Sequence, residues 1–447
     1  MSQARLRREL GLGGAVMLGL GSMIGTGVFV SVGLAAGVAG PAVILAVGLA
    51  AGVAVFNGLS SAQLAASHPV AGGTYEYGYV YLNSWLGFSA GWVFLLAKSA
   101  SAATAALGLA GYSLQFFAPA GDLQIPLALA AVAGLTALVL GGMRRSNRAN
   151  TVIVGFSLLT LGYFVVAGLL AGRGGAANLQ PFFAPGPGES GPLAALFHAT
   201  ALMFVAYTGY ARIATLGEEV RRPARTIPRA IVLVMGVTLA LYALVTLTAV
   251  RAVGAEALSQ ATAESAAPLS FALAELDAPF GPTLLTLGAL TALLGVLLNL
   301  ILGLSRVLLA MGRRGDMPAF TAKLNAAQTT PPGAVLLAAA GVGGLVLIGD
   351  VRATWTFSAF TVLIYYSLTN LAALRLPAEK RRFPAWMAAA GLLSCLFLAF
   401  WVDVRTWLLG LGLILVGLVW HAAARRLSKG GRDGQGAASS GSIEDEP

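Results

Sequence analysis

The sequence predicts an all-α protein that crosses a membrane about twelve times. Three observations carry that prediction. The chain of 447 residues is 57% hydrophobic and only 10% charged, whereas about a quarter of the residues in an ordinary soluble domain are charged. Its mean hydropathy is +0.80. The apolar residues collect in runs near 11–38, 41–66, 79–112, 125–142, 150–172, 193–217, 228–250, 282–311, 333–349, 354–374, 385–402 and 405–424. Most of these approach or exceed the roughly 20 residues that a helical crossing takes.

The net charge of +10 is distributed as a membrane protein's would be. With the N-terminus placed inside, 21 of the 28 Lys and Arg residues fall in inner loops and tails and 4 in outer loops. That bias puts both termini in the cytoplasm and assigns the charge to the inner face of the plasma membrane, not to nucleic acid. Lys98, Arg212 and Arg306 are left within or beside spans. The single cysteine, Cys395, and the scattered His68, His198 and His421 make no disulfide or metal framework, and no cofactor is expected. The first run is too long for a signal peptide.

The first run contains GLGSMIGTG, Gly19 to Gly27. Each glycine costs a helix about 0.8–1 kcal/mol against alanine. Backbone broken at membrane depth survives only where protein buries it or a cavity needs it. The stretch is therefore either a binding break, with free N–H groups for an anion and free carbonyls for a cation, or a GxxxG packing face through Gly21 and Gly25. Its GxGxxxG spacing, with no strand before it, argues against a dinucleotide loop.

The third run holds Lys98. A lysine deep in a span costs about 2.5–3.5 kcal/mol, so its default reading is functional. Burial favours the neutral amine, which suits a proton carrier. Tethering of broken-helix carbonyls and snorkelling to an interface are the other readings. The sixth run is interrupted around Gly209, in FVAYTGYARIATLGEE, Phe204 to Glu219. Runs one and six lie five spans apart, so they enter the membrane from opposite sides. Broken helices so placed point to an inverted repeat with a site at the midplane. The outer loop 251–281 carries Glu256, Glu264, Glu275 and Asp277 and has room for short helices. Pro223 and Pro228 punctuate the approach to the seventh run, with Pro228 at a helix start. Asn299 and Ser305 suit either an ion site or hydrogen bonds between helices. The polar, Gly/Ser-rich tail from Ser428 is expected to be disordered.

GSMIGTGVF at 21–29, FVAYTGYARIATLGEEVRRPARTIPRAI at 204–231 and GLSRVLLAMGRRGDMP at 303–318 together resemble the first, sixth and eighth spans of the amino acid–polyamine–organocation transporters, most closely the cationic amino acid branch. The resemblance covers nearly the whole chain. It implies a leucine-transporter-like fold with two inverted five-helix repeats, 11–172 and 193–374, forming a ten-span core. Two further spans occupy 385–424, with cytoplasmic tails at 1–10 and 425–447. It implies transport of amino acids, not catalysis, with a proton, sodium or an exchange partner as the coupling species.

On that footing the amides of Gly25 and Gly27 and the Thr26 hydroxyl meet the substrate carboxylate. Carbonyls of Met23, Ile24, Val205, Ala206 and Thr208 meet the ammonium. Tyr207 and Tyr210 either gate the site or pack in the core. Glu218 and Glu219, facing Arg221, Arg222, Arg225 and Arg229, form either an inner gate or a solvated surface of little net energy. Some relatives carry a lysine where Ser157 stands, and Lys98 is expected to replace it. The cationic branch has acids where Ala97 and Ala211 stand. Their absence, with Lys98 and Arg212 nearby, points to neutral amino acids, carried by proton symport. Arg212 reads equally as a structural contact. An exchanger, a cationic permease and a non-transporting amino acid sensor are the alternatives.

Overall fold

A computed structural model of the chain describes residues 10–68, 72–117, 123–142, 147–171, 175–214 and 220–439. The fold is helical throughout these residues, and their one β contact is a parallel bridge between Leu10 and Val220. The first run divides into α1 (Leu12–Met23), α2 (Thr26–Phe29) and α3 (Ser31–Ala39), followed by α4 (Val43–Ser67). Then come α5 (Thr74–Tyr81), α6 (Ser84–Phe117), α7 (Gln124–Leu140) and α8 (Asn147–Leu170). The sixth run gives α9 (Pro192–Tyr207), a 3₁₀ turn at Thr208–Tyr210 and α10 (Ala211–Ala214). After it lie α11 (Pro223–Val253), α12 (Ala255–Ser265), α13 (Pro268–Glu275), α14 (Gly281–Arg314), α15 (Pro332–Val346), α16 (Val351–Leu374), α17 (Ala385–Ala399) and α18 (Val404–Ser439).

Every apolar run is helical, but not all are long. Among the described residues, eight helical segments have the length and hydropathy to cross a bilayer, with 31–67 taken as one. The helices α1, α7, α15 and α17 are apolar but shorter. The loop at 251–281 does hold two short helices, α12 and α13.

Two expectations need correction. The run at 79–112 does not begin a span at residue 79. A separate short helix, α5, ends at Tyr81, and the Asn83 side chain accepts from the Leu86 N–H at 2.9 Å to start α6. Pro228 does not start the seventh span. Pro223 stands at the first turn of α11, where a missing N–H costs nothing, and Pro228 falls inside the helix.

Burial sorts the helices. The apolar windows containing α6, α9 and α16 are each 78% buried, whereas that of α18 is 17% buried. Polar residues concentrate between the central helices, where they bind one another. Ser101 and Ser358 hydroxyls lie 2.7 Å apart, and Thr104 donates to Thr354 at 2.9 Å. A second buried group joins α4, α16 and α17. Asn370 Nδ2 donates to Asn57 Oδ1 at 2.6 Å, and Cys395 Sγ lies 3.3 Å from the same oxygen. Lipid offers no substitute partner, so such groups hold helices together. Asn57→Leu is expected to lower stability by about 1 kcal/mol. Thermal unfolding of the detergent-solubilised variant beside wild type measures this.

Candidate functional site

The two interrupted helices meet. In α1 the ladder ends with Ile24 N–H donating to Leu20 O at 2.8 Å, after which Ile24 and Gly25 are non-helical. In α2 the Val28 and Phe29 N–H groups donate back to Gly25 O at 3.1 and 3.0 Å. The Thr26 and Gly27 amides stand at the start of that turn, where no earlier carbonyl can reach them. The matching interruption in the sixth run is the 3₁₀ turn at Thr208–Tyr210.

Contact between the breaks depends on two residues lacking a side chain. A Cβ on Gly27 would lie 2.8 Å from Ala206 Cα, and one on Gly209 would strike the Ser22 carbonyl. The freed carbonyls are held by hydroxyls from other helices. Tyr242 of α11 donates to Met23 O at 2.7 Å and lies 3.4 Å from Ala206 O. Tyr366 of α16 donates to Thr208 O at 3.2 Å, and the Thr208 hydroxyl donates to Val205 O at 2.8 Å. Val205 O also accepts the Thr208 N–H and Thr208 O the Ala211 N–H, so the lone pairs of these two carbonyls are taken up within the protein.

A cavity of about 50 Å³ opens between the breaks, lined by Ser22, Met23, Thr26, Gly27, Lys98, Ser101, Val205, Ala206, Thr208, Gly209, Val296, Leu300 and Trp355. At about 10–15 Å³ per water it holds a few water-sized groups. Lys98, 9% exposed, donates from Nζ to Thr208 Oγ1 at 3.0 Å. It therefore turns inward to the sixth-span break and does not snorkel. Its partner is the Thr208 hydroxyl, and no break carbonyl is its partner.

Of the residues expected at the site, Met23, Thr26, Gly27, Lys98, Val205, Ala206 and Thr208 share this cavity. Ile24, Gly25, Tyr207 and Tyr210 do not line it. Gly25 faces Val296. Tyr207 donates to Val47 O at 3.3 Å and packs on Tyr242, while Tyr210 packs on Tyr366. Residues 207 and 210 share one helical face, and 205, 208 and 209 share the other. Ser157 returns its hydroxyl to Ile153 O at 2.8 Å, and Ser305 does the same to Leu302 O at 3.0 Å. Ala97, Ser157, Ala211, Arg212, Asn299 and Ser305 lie outside the cavity lining. It is Asn150 that ties α8 to α1, donating to Met17 O at 2.8 Å. Glu218 and Glu219 lie outside the described residues. Sequence reasoning missed Ser22, Val296, Leu300 and Trp355, whose Nε1 donates to Leu202 O at 3.0 Å.

It also missed a buried polar cluster at the C-terminal end of α14. Asp316, 5% exposed, accepts from the Tyr75 and Tyr79 hydroxyls at 2.6 and 2.7 Å. His421 Nδ1 lies 3.2 Å from its other oxygen, and Trp420 Nε1 donates to its backbone carbonyl at 2.8 Å. Arg314 pairs with Glu76 and lies 4.1 Å from the Tyr79 ring centroid. Burial and the bond to Asp316 push the Tyr75 phenol well above its usual range, which keeps it a donor. The signal was a tyrosine pair at i, i+4 in TYEYGYVY, hidden because Tyr79 read as the start of a span.

Two outcomes follow from this geometry. Gly209→Ala is expected to force the breaks apart and abolish substrate binding, with a stability loss of about 1–3 kcal/mol; ligand-induced thermal shift and the unfolding midpoint read the two effects. Asp316→Ala strands two tyrosine hydroxyls and is expected to cost about 1–3 kcal/mol per group left unpaired, read by thermal unfolding beside Tyr75→Phe.

A family model described as Amino acid permease matches residues 14–432. An uncharacterised transporter of Mycobacterium tuberculosis is 39% identical over 427 residues, covering 96% of this chain and 93% of its own. The branched-chain amino acid permease BcaP of Bacillus subtilis is 28% identical over 458 residues, covering 95% and 94%. The vacuolar cationic amino acid transporter 4 of Arabidopsis thaliana is 27% identical over 346 residues, covering 73% of this chain and 56% of its own. With a match across nearly its whole length, the chain belongs to the amino acid permease family of the amino acid–polyamine–organocation superfamily, as a multi-pass membrane protein built of helices.

Proposed function

We propose that this protein is a secondary active transporter that carries neutral amino acids across the plasma membrane by alternating access, in symport with a proton. The observation that carries the reading is the cavity between the two breaks, where Thr26 and Gly27 face Lys98 and the Val205, Ala206 and Thr208 segment. The substrate carboxylate meets the amides and hydroxyl of the first break. The ammonium meets the carbonyls of Met23 and Ala206. The side chain lies against Val296, Leu300 and Trp355. These are apolar surfaces, and the lining contains no Asp or Glu, which disfavours a cationic side chain. The branched-chain permease among the relatives fits this preference.

Lys98 is the coupling group in this reading. Its bond to Thr208 links its protonation to the break in the sixth span. The two repeats rock about the site, with both termini in the cytoplasm. Exchange, in which a second amino acid drives the return step, is the alternative favoured by the absence of an acid beside Lys98. A sensor would bind an amino acid without moving it, and a sodium-coupled transporter would lose flux when sodium is withdrawn.

The test is reconstitution into liposomes with labelled amino acids and imposed gradients. Wild type is expected to accumulate neutral amino acids when the outside is acid. Lys98→Ala is expected to lose the acceleration by the pH gradient while exchange persists. Proton-driven accumulation that survives the substitution would sink the coupling role. Binding without flux would instead support a sensor.

A further inference from the structure

We propose that the carboxylate of the transported amino acid is the counter-ion of Lys98, bound between its Nζ and the Thr26 hydroxyl, and that substrate and proton therefore bind together. This rests on the amino acid reading above and adds a ligand to it.

Most of the cavity's polar side chains are already committed to partners. Ser22 returns its hydroxyl to Leu18 O at 3.0 Å. Ser101 is paired with Ser358. Trp355 directs its N–H to Leu202 O. Thr208 donates to Val205 O and accepts from Lys98. Two groups keep free capacity. Lys98 has three donors when protonated and one partner, a neutral hydroxyl. Thr26 is 4% exposed, and its Oγ1 has no hydrogen-bond partner. Both line the same small cavity, so one ligand group reaches both.

What remains is donors facing a space with no lining acid. An ammonium in that space has nothing to balance its charge, and an unbalanced charge away from water is expensive. A carboxylate supplies two oxygens, one for Nζ and one for the Thr26 O–H, and the negative charge. A second amine would add a like charge. The substrate side chain is then left to the apolar walls.

Coupling follows from the same contact. A carboxylate beside an amine favours its charged form. A proton from bulk water adds to the Nζ lone pair as the zwitterion enters, and it leaves when the carboxylate leaves. By linkage the effect is reciprocal: the protonated site binds substrate more tightly by the factor with which substrate favours protonation.

The experiment uses the full chain in nanodiscs. Each of the twenty proteinogenic amino acids is screened by thermal shift. Every binder is then titrated calorimetrically as free acid and as α-amide, in buffers of different ionisation enthalpy. The free acid is expected to bind with net proton uptake and at least about tenfold more tightly than the amide, the scale of one charge-assisted hydrogen bond. Lys98→Gln is expected to abolish the uptake and cut the acid-over-amide preference by about tenfold. Lys98→Arg keeps a permanent charge and is expected to retain preference without uptake. Wild type binding acid and amide equally, binding the acid without uptake, or a preference undiminished in Lys98→Gln overturns the proposal. The wild-type comparisons stand even if a variant fails to fold. If none of the twenty binds, it is the amino acid reading itself that fails.

Discussion

Everything in this structure answers to one constraint: a backbone broken inside a membrane has to find its hydrogen bonds within the protein. The breaks take the carbonyls of Met23, Val205, Ala206 and Thr208 out of a regular α-helical ladder. Tyr242, Tyr366 and the Thr208 side chain take up those bonds. Two of the three come from helices far away in sequence. Further along the first run, Ser31 donates to Gly27 O at 2.6 Å and Tyr112 to Phe29 O at 2.8 Å. The site is thus a place where a costly irregularity is stabilised from outside. Helices α6, α9, α11 and α16 are polar or aromatic where they are because they serve it.

The division of labour between helices follows. Buried, hydroxyl-bearing faces belong to the central helices, and α18 presents mostly apolar side chains outward. The Ser101–Ser358 and Thr104–Thr354 pairs fasten α6 to α16 beside the cavity. Lys98 therefore rises from a helix held by polar bonds on one flank, which fixes where its ammonium group can reach.

Much of this was legible in the sequence, and what was not has physical causes. Hydropathy located the helical runs because each span must cover its backbone with apolar side chains. Glycine density and polar crowding located both breaks because those residues oppose a continuous helix. Lys98 stood out because charge in a span is costly. Tyr242, Trp355, Val296 and Leu300 carried no such signal. An aromatic or aliphatic residue in a span is ordinary, and only the tertiary arrangement brings these against the breaks. Tyr207 and Tyr210 take the packing alternative of the two that the sequence left open. They lie beside the break in sequence, but the helical turn rotates them onto α4 and α16. The Asp316 cluster was hidden because α5 shares its composition with the start of a span, so one run concealed two helices.

The contact made by Gly27 and Gly209 has a mechanical meaning. Ala206 and the Ser22 carbonyl occupy the room that side chains would take, so neither interrupted helix can slide past the other. Tyr242, reaching toward Met23 and Ala206, pins the same crossing. The crossing therefore behaves as a pivot of nearly fixed length. On the proposed alternating-access reading, motion that exposes the cavity to one side and then the other comes from swinging the arms, α1 and α3 on one rod and α9 and α10 on the other, while the middle stays still. On that reading a ligand held at the still point keeps its immediate contacts while its access changes.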